Sequence, residues 1–295
     1  MKFGLFGINN GFMSDPKVMI DVAQACEAAG FDSVWTGEHV VLPDPQVPPS
    51  PVAPEVPMLD PAVALTFIAA HTTTLKLGTG IIILPQRNPL VLAKELASLD
   101  HLSGGRLLFG VGVGYLEPEF RALGISMEDR GGRTEDYIAA MRAIWSGASY
   151  TGPYVSFDGV KANPQPAQGA DLPVVMAGHT AAAFRRAVTT SQGWYGFALD
   201  VAAAQACVDG LAKAAARFER PVRLGPLEIS VTPRMAVDDA AVAAFEAMGV
   251  HRLIPLTAGR ADTAGIVSMV EDLAKRYVHG LTDLMSGPMS TDSVR

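Results

Sequence analysis

Residues 76–113 read KLGTGIIILPQRNPLVLAKELASLDHLSGGRLLFGVGV, and this stretch decides the fold. It begins with an apolar run over Lys76–Leu84, continues with a helical pattern from Pro89 to about Leu102, and returns to an apolar run over Leu107–Val113. Short apolar or β-branched runs that are bounded by glycine and proline are typical of buried strands. The stretch is therefore predicted to form a strand–helix–strand unit with parallel strands.

The same alternation continues outward in both directions and gives eight strand–helix pairs. The predicted strands are Lys2–Ile8, Ser33–Thr36, Lys76–Leu84, Leu107–Val113, Pro173–Ala177, Gly193–Phe197, Leu227–Pro233 and His251–Pro255. The predicted helices are Pro16–Ala29, one that begins near Pro61, Pro89–Leu102, Thr134–Trp145, Ala181–Thr189, Ala202–Arg217, Ala240–Met248 and Asp262–Tyr277. This α/β pattern predicts a single domain over residues 1–295, a closed (β/α)8 TIM barrel. An open doubly wound sheet is the alternative, but it usually carries a Gly-rich nucleotide loop after its first strand, where this chain has INNGF.

Two segments interrupt the alternation, and both follow a strand or its helix on the side of the barrel mouth. Between Pro43 and Pro61 there are eight prolines, too many for a helix or a central strand, and the segment from Gly147 to Pro173 is also irregular. Long insertions at this face of a barrel often carry function. We interpret the two insertions either as lids or pocket walls or as plain surface loops.

The amino-acid composition excludes some classes of binding partner. Apolar residues make up 49% of the chain and charged residues 18%, the formal net charge is −7, and Lys/Arg-rich runs are absent. Neither nucleic acid nor an anionic membrane is therefore an expected partner. The early glycines and asparagines of MKFGLFGINNGF do not fit a signal peptide, and we expect a cytoplasmic protein. Cys26 and Cys207 are expected to be buried free thiols.

The ends of the predicted strands exclude several chemistries, because barrel enzymes place their reactive groups there. None of the seven lysines lies at such an end, which argues against a Schiff-base aldolase. The six histidines are scattered and no metal site is expected, which argues against a metal-dependent hydrolase, and no Gly-x-Ser-x-Gly elbow is present.

One acid–histidine pair remains at a strand end, Glu38-His39 in VWTGEHVVLP. An imidazole at this place can hydrogen-bond to a bound ring and move a proton near neutral pH. The alternative is a surface-loop histidine that pairs with its neighbouring glutamate. At the end of the fifth strand, Ala177, Gly178 and His179 precede a helix, and free backbone N–H groups there suit a phosphate or another anion.

Glycines mark the third and fourth strands. Gly80 lies inside LGTGIIILP, and Gly110, Gly112 and Gly114 alternate along FGVGVGY. A strand glycine indicates that another backbone or a ligand approaches closely. The alternating glycines leave space on one face of the strand, which we interpret either as room for a flat ring or as relief of crowded packing.

Together these runs resemble the luciferase-like flavin and deazaflavin oxidoreductases, and within them the branch that depends on coenzyme F420. The landmarks are AGFDSVWTGEHVVLP, the whole stretch Leu77–Phe120, RGGRTEDYIAAMRAIWSG and VVMAGHTAAAFRRA. The resemblance covers nearly the whole chain and implies a bacterial luciferase-like barrel with insertions at its C-terminal face. It also implies transfer of a hydride between the deazaflavin and a small organic substrate.

The resemblance assigns roles to individual residues. It implies a non-prolyl cis bond between Gly80 and Ile81 in a bulge that supports the cofactor ring. The implied cofactor contacts are Glu38, His39, Thr79, Gly80, Ile81, Gly112, Ala177, Gly178 and His179, the last three on the phosphate side, with His39 as the catalytic residue. Tyr115 stands where related sugar-phosphate dehydrogenases have an acidic proton donor, which argues against their substrate and their proton-transfer scheme. Tyr115 and Trp194 are candidate walls of the substrate pocket, or else core residues.

Other functions of the same fold stay open at this point. An FMN-dependent monooxygenase and a non-catalytic flavin-binding protein share most of the landmarks, whereas a sugar-phosphate barrel enzyme without redox function would bind neither ring. Family habit and the low charge favour a homodimer. The substrate, a small molecule, is not indicated by the sequence.

Overall fold

The computed structural model describes residues 1–257 and 259–278 and contains a closed parallel barrel. Its strands are β1 (Lys2–Phe6), β2 (Ser33–Thr36), β3 (Lys76–Thr79), β4 (Ile82–Ile83), β5 (Leu107–Gly112), β8 (Val174–Ala177), β9 (Gly193–Leu199), β10 (Glu228–Pro233) and β11 (Arg252–Leu253), while β6 (Tyr150–Thr151) and β7 (Ser156–Phe157) form a separate hairpin. Pairing of β3 with β5 closes the sheet, and β3 and β4 are two parts of one interrupted strand. The predicted TIM barrel is confirmed.

Helices surround the barrel, and several of them begin at a residue that caps the helix N-terminus. They are α1 (Pro16–Ala28), α2 (Pro61–Ala69), α3 (Pro89–Ser103), α4 (Glu117–Ala122), α5 (Arg130–Ser146), α6 (Ala181–Thr190), α7 (Val201–Arg217), α8 (Asp239–Ala247) and α9 (Thr263–Leu273), followed by a π-helical turn over Ala274–Val278. Side chains of Asp15, Asp60 and Asn88 accept backbone N–H groups at the starts of α1, α2 and α3, each of which has proline in its first turn. This pairing of cap and proline explains why the loops end there.

The predicted barrel elements are confirmed with small shifts of their ends. The main differences are the break in the third strand, the short last strand β11, and two elements that were not predicted, α4 and the β6–β7 hairpin. Cys26 and Cys207 are buried free thiols as expected, and burial raises the pKa of Cys26.

The interior of the barrel is a small apolar cluster, separate from the larger core between barrel and helices. Its buried members are Phe6, Trp35, Leu108, Val175, Tyr195 and Ile254. The rings of Trp35 and Tyr195 stack with their centroids 5.5 Å apart. A Cβ at Gly78 would overlap the Trp35 indole, so the glycine of β3 makes room for the largest ring inside the barrel.

A buried arginine closes the N-terminal end of the barrel. Arg252, 1% exposed, donates to Asp32 at 2.7 Å, to Ser230 at 3.0 Å and also to Glu228. Burial by itself would raise the pKa of the Asp32 and Glu228 carboxyls. The Arg252 guanidinium, together with Lys2 and, for Asp32, Lys76, outweighs burial and lowers the pKa of both. Three strand starts are thereby joined through one cation.

Replacing Arg252 by methionine should lower the free energy of unfolding by about 1–3 kcal/mol, because two partly buried carboxylates lose their main hydrogen-bond donor, although Lys76 and Lys2 stay beside them. Urea unfolding at neutral pH measures the change. Arg121→Met is the matched control, since Arg121 is exposed and, among the residues that the structure describes, pairs with Glu117 on its own helix. It should lose no more than about 0.5 kcal/mol. Equal losses in the two variants would contradict this account.

Candidate active site

The first insertion is fastened to the mouth of the barrel at its C-terminal end. Asn9, directly after β1, bridges two segments: its amide donates to the Leu59 carbonyl at 2.6 Å and to the Gly37 carbonyl at 2.9 Å, and its oxygen accepts the Gly37 N–H at 2.9 Å. The Gly11 N–H also donates to the Pro57 carbonyl at 2.8 Å. The insertion therefore forms a fixed wall over the ends of β1 and β2, while its exposed tip lies farther out.

The third strand carries a bulge at the mouth. Gly78 is paired with Leu108 and Ile82 with Val111, so the register offset falls from 30 to 29 and β3–β4 contains one residue more than β5 over this interval. The bond between Gly80 and Ile81 is cis, as the resemblance implied. The bulge therefore projects the backbone of residues 79–81 at the C-terminal end of the barrel.

The neighbouring glycines of β5 accommodate this bulge. A Cβ at Gly110 would overlap the Thr79 carbonyl, and a Cβ at Gly112 would lie 2.5 Å from the end of the Ile81 side chain. The Thr79 hydroxyl donates to the Gly110 carbonyl at 2.7 Å. The interpretation that these glycines leave room for a ring is therefore wrong at both positions, because protein atoms fill the space, and the alternative of relieved packing holds.

Gly110→Ala should destabilise the protein by about 1–3 kcal/mol and weaken binding of any ligand at the bulge, because the new methyl group displaces the Thr79 carbonyl. Thermal unfolding and ligand titration measure the two effects. Gly132→Ala in α5 is the control: it meets no atom closer than 3.4 Å and should be neutral or slightly stabilising. An unchanged melting temperature in Gly110→Ala would show that the strands can separate freely.

Glu38 faces away from its neighbour His39. Its buried carboxylate accepts the Ile83 N–H and the Arg87 guanidinium, and Arg87 also donates to Asp60 at 2.7 Å. Burial raises the pKa of the Glu38 carboxyl, while Arg87 and the Ile83 N–H act in the opposite direction. The alternative interpretation, a surface-loop histidine that pairs with its neighbouring glutamate, is therefore wrong. Glu38, just after β2, thus joins this strand end to β4, to Arg87 beyond it and, through Arg87, to the end of the insertion.

The partner of His39 is Glu119. The His39 Nδ1 lies 3.0 Å from Glu119 Oε2, and the His39 Nε2 lies 3.3 Å from the Tyr115 hydroxyl. The other Glu119 oxygen accepts the Val40 N–H at 2.6 Å, and the His39 N–H donates to Met58 Sδ at 3.0 Å. His39 is thus held on both ring nitrogens and on its backbone.

Sequence reasoning missed Glu119, which lies on the unpredicted helix α4. The helix is six residues long and shows too little periodicity to be recognised, and its glutamate stands among other charged residues in EPEFR. The available signal was its position shortly after a strand end. A carboxylate within one helical turn of the Tyr115 loop can face the mouth.

Tyr115 lies at the mouth and Trp194 does not. Tyr115 is 49% exposed and its ring meets His39 edge-on, with centroids 5.8 Å apart. Trp194 is fully buried in the core between barrel and helices, against Phe184. Successive residues of a strand point to opposite faces, so Tyr195 points inward and Trp194 outward. The prediction that Trp194 lines a substrate pocket is therefore wrong.

The predicted anion contacts lie at the start of α6. Gly178 has φ +123°, and its carbonyl accepts the Nε1–H of the Trp194 indole at 2.9 Å. His179 is exposed, and partial burial of its ring lowers its pKa. Thr180 caps the helix by accepting the Ala183 N–H at 3.3 Å. The structure thus brings residues 177–179 to the mouth on the side opposite the first insertion.

Further cations flank this region, and sequence reasoning did not single them out. Arg130, at the start of α5, donates to the Gly114 carbonyl at 3.3 Å. Arg186 on α6 is buried beside Gly131, and burial and the neighbouring Arg130 and Arg185 lower its pKa, while Glu135 opposes them. Its Nε has no hydrogen-bond partner in the described part of the chain.

The strand-end position of these residues defines the molecule as an α/β-barrel protein with a histidine-centred site at its C-terminal face. The model of the luciferase-like monooxygenase family matches residues 1–280, and the chain belongs to this family. Members of the family are flavin- or F420-dependent oxidoreductases and monooxygenases. In the described residues no helix is long and apolar enough to cross a membrane.

The individual relatives have low sequence identity to this chain. An uncharacterised protein of Mycobacterium tuberculosis is 31% identical over 182 residues, which are 58% of this chain and 64% of the relative. A 5,10-methylenetetrahydromethanopterin reductase of Methanolobus tindarius is 32% identical over 166 residues, 55% of this chain and 45% of the relative. The structure superposes on an F420-dependent secondary alcohol dehydrogenase with a TM-score of 0.74 and 14% identity, covering 93% of this chain and 97% of that one. This last similarity shows the fold.

Proposed function

We propose that the protein is a coenzyme F420-dependent oxidoreductase that transfers a hydride between the deazaflavin and a small organic substrate. The observation that carries the proposal is the placement of His39 at the barrel mouth, held by Glu119 and by the half-exposed Tyr115. Interconversion of an alcohol and a carbonyl compound needs a proton as well as a hydride, and these residues can handle the proton. The family includes such enzymes.

The mouth has the apolar character that a flat ring requires. Large apolar side chains near or after the C-terminal ends of different barrel strands are exposed there: Phe12, Val40, Tyr115, Phe197, Met235 and Leu256. Ligand pockets are mostly apolar with a few polar groups that fix orientation. One such group is Asn10, whose buried Oδ1 has no hydrogen-bond partner among the described residues and can accept an N–H of the ring.

The region at the start of α6 suits the anionic part of the cofactor. The Thr180 hydroxyl accepts one of the first N–H groups of this helix. The other first-turn N–H groups meet no side-chain acceptor among the described residues and can donate to a phosphate. Arg130 and the buried Arg186 add positive charge on the same side. The ring would then lie over the bulge at residues 79–81, with His39 on one side and the phosphate near Gly178.

When bound, the deazaflavin supplies a carbon that donates or accepts a hydride. The chain positions the ring face against the substrate and excludes water with the fastened part of the first insertion. His39 is oriented by Glu119 and supports a proton transfer at its Nε2 side. Glu38 holds the wall and the bulge together and touches neither reactant.

An FMN-dependent monooxygenase is the competing assignment, since the family takes its name from such enzymes. Separate titrations of the apo protein with F420 and with FMN test the choice by the change in cofactor fluorescence. We expect F420 to bind at micromolar concentration and FMN more weakly. Tight binding of FMN alone would overturn the proposal, and binding without turnover on alcohols, aldehydes, enones and imines would indicate a non-catalytic relative.

His39→Ala should reduce hydride transfer about 10²–10⁴-fold without loss of the fold, because the proton-handling group at the mouth is removed. Single-turnover reduction of the bound cofactor measures the rate, and circular dichroism tests the fold. His101→Ala on the exposed end of α3 is the control and should leave the rate unchanged. Full activity of His39→Ala would remove His39 from the mechanism.

We also propose that the protein is a homodimer that buries the outer faces of α2 and α3. Val63 and Phe67 of α2 and Val91 of α3 are exposed by 67%, 38% and 57%, and the two helices pack side by side. Exposed apolar patches mark interaction surfaces. Val63→Glu should convert the dimer to a monomer in analytical ultracentrifugation. A monomeric wild-type protein at micromolar concentration would contradict the proposal.

A further inference from the structure

The protein occupies both nitrogens of the His39 ring. Glu119 Oε2 lies 3.0 Å from Nδ1 and the Tyr115 hydroxyl lies 3.3 Å from Nε2. The His39 and Glu119 side chains are only 6% and 0% exposed, whereas Tyr115 is 49% exposed. Of these three groups, Tyr115 is the one that a molecule in the mouth meets first.

The direction of each hydrogen bond follows from the chemistry of the partners. The Glu119 carboxylate can only accept, so in the neutral imidazole Nδ1 carries the hydrogen and donates it to Oε2. The Nε2 lone pair then accepts, and the Tyr115 hydroxyl is the donor. The three groups thus form a chain of hydrogen bonds. The Tyr115 hydroxyl donates to His39 Nε2, and His39 Nδ1–H donates to the Glu119 carboxylate. The second lone pair of the tyrosine oxygen is free to face the mouth.

We propose that Tyr115, and not His39, is the residue that exchanges the proton with a substrate hydroxyl, while His39 and Glu119 are positioning residues that receive and stabilise this proton. The inference rests on the proposed F420-dependent function. In the direction of oxidation, the substrate C–H bond breaks and its hydride passes to the oxidised deazaflavin. The substrate O–H proton moves to the Tyr115 oxygen, and the original Tyr115 hydrogen moves to His39 Nε2. The products are a carbonyl compound, reduced cofactor and an imidazolium paired with Glu119.

Two features of the structure agree with this order. Burial and the Glu119 charge raise the pKa of Tyr115, so the phenol keeps its hydrogen at neutral pH and can donate it to Nε2. The Glu119 carboxylate is also held by the Val40 N–H at 2.6 Å, so it cannot rotate away from the imidazole without losing that bond. The site thus contains a hydroxyl at the mouth and a proton acceptor behind it.

Measuring the tautomer of His39 tests these hydrogen-bond directions without cofactor or substrate. In protein labelled with ¹⁵N-histidine, the His39 signals are assigned by their loss in His39→Gln, and we expect hydrogen on Nδ1. In Glu119→Gln the amide oxygen stays on the Val40 N–H, so the NH2 group faces Nδ1, which must then accept. The tautomer should therefore switch to Nε2–H.

The control is Glu117→Gln, an exposed glutamate on the same helix, which should leave the His39 tautomer unchanged. Tyr115→Phe gives a second measurement if Glu119→Gln does not fold, because it removes one oxygen from a half-exposed side chain. It should shift the Nε2 resonance and keep hydrogen on Nδ1. Hydrogen on Nε2 in the wild type, or an Nε2 resonance unaffected by Tyr115→Phe, would overturn the proposal.

The kinetic test uses the holoenzyme with an alcohol that it oxidises. Tyr115→Phe should lower kcat about 10²–10⁴-fold while KM and cofactor affinity stay near their wild-type values. Tyr154→Phe removes the same oxygen from an exposed tyrosine in the second insertion and should leave kcat unchanged. Wild-type kcat in Tyr115→Phe would refute the role of Tyr115. If wild type bound neither cofactor, the proposed function would fail, whereas the tautomer result would stand by itself.

Discussion

The mouth of this barrel depends on the close approach of two backbones, the Thr79 carbonyl against Gly110. No residue with a side chain can occupy position 110 while Thr79 stays in place, and the Thr79 hydroxyl reinforces the contact by donating to the Gly110 carbonyl. The approach lets the third strand bulge after Thr79 and resume its pairing at Ile82. The following residues, Ile83 and Arg87, then reach Glu38 at the end of β2. Gly110 therefore positions both the bulge at residues 79–81 and the residues that bind Glu38 at the end of β2.

Much of the fold could be predicted because its signals are local. Short apolar runs that alternate with capped helices need no knowledge of the tertiary structure, and the strand Ser33–Thr36 has the predicted bounds. The predictions missed the secondary-structure elements that consist of only a few residues. The six-residue helix α4 and the hairpin with two residues in each strand are too short for a periodic signal. The break in the third strand was indicated by Gly80, but its extent depends on the pairing with β5.

The site was harder to predict than the fold, because neighbours in sequence diverge at the end of a strand. Glu38 and His39 point to opposite sides, and each finds a partner far along the chain: Arg87 for the first and Glu119 for the second. A sequence shows which groups lie at the mouth but not which of them meet. The glycines of β5 are a similar case, since the pattern indicated free space and the occupant, Ile81 at Gly112, comes from the adjacent strand. Trp194 was misplaced because an aromatic residue near a strand end can point either way.

Because Glu38 and His39 point to opposite sides, two separate hydrogen-bond networks form at the mouth. Glu38, Arg87 and Asp60 hold the end of the first insertion, and Asp60 also caps α2, so this network fixes the wall. His39, Glu119 and Tyr115 form the second network, which meets the wall through Met58. Because the insertion is fastened at residues 57–60, its exposed tip at residues 44–55 can change in sequence without moving either network. A change in the contacts that the tip makes with a bound molecule would thus leave the geometry of the residues proposed to handle the proton unchanged.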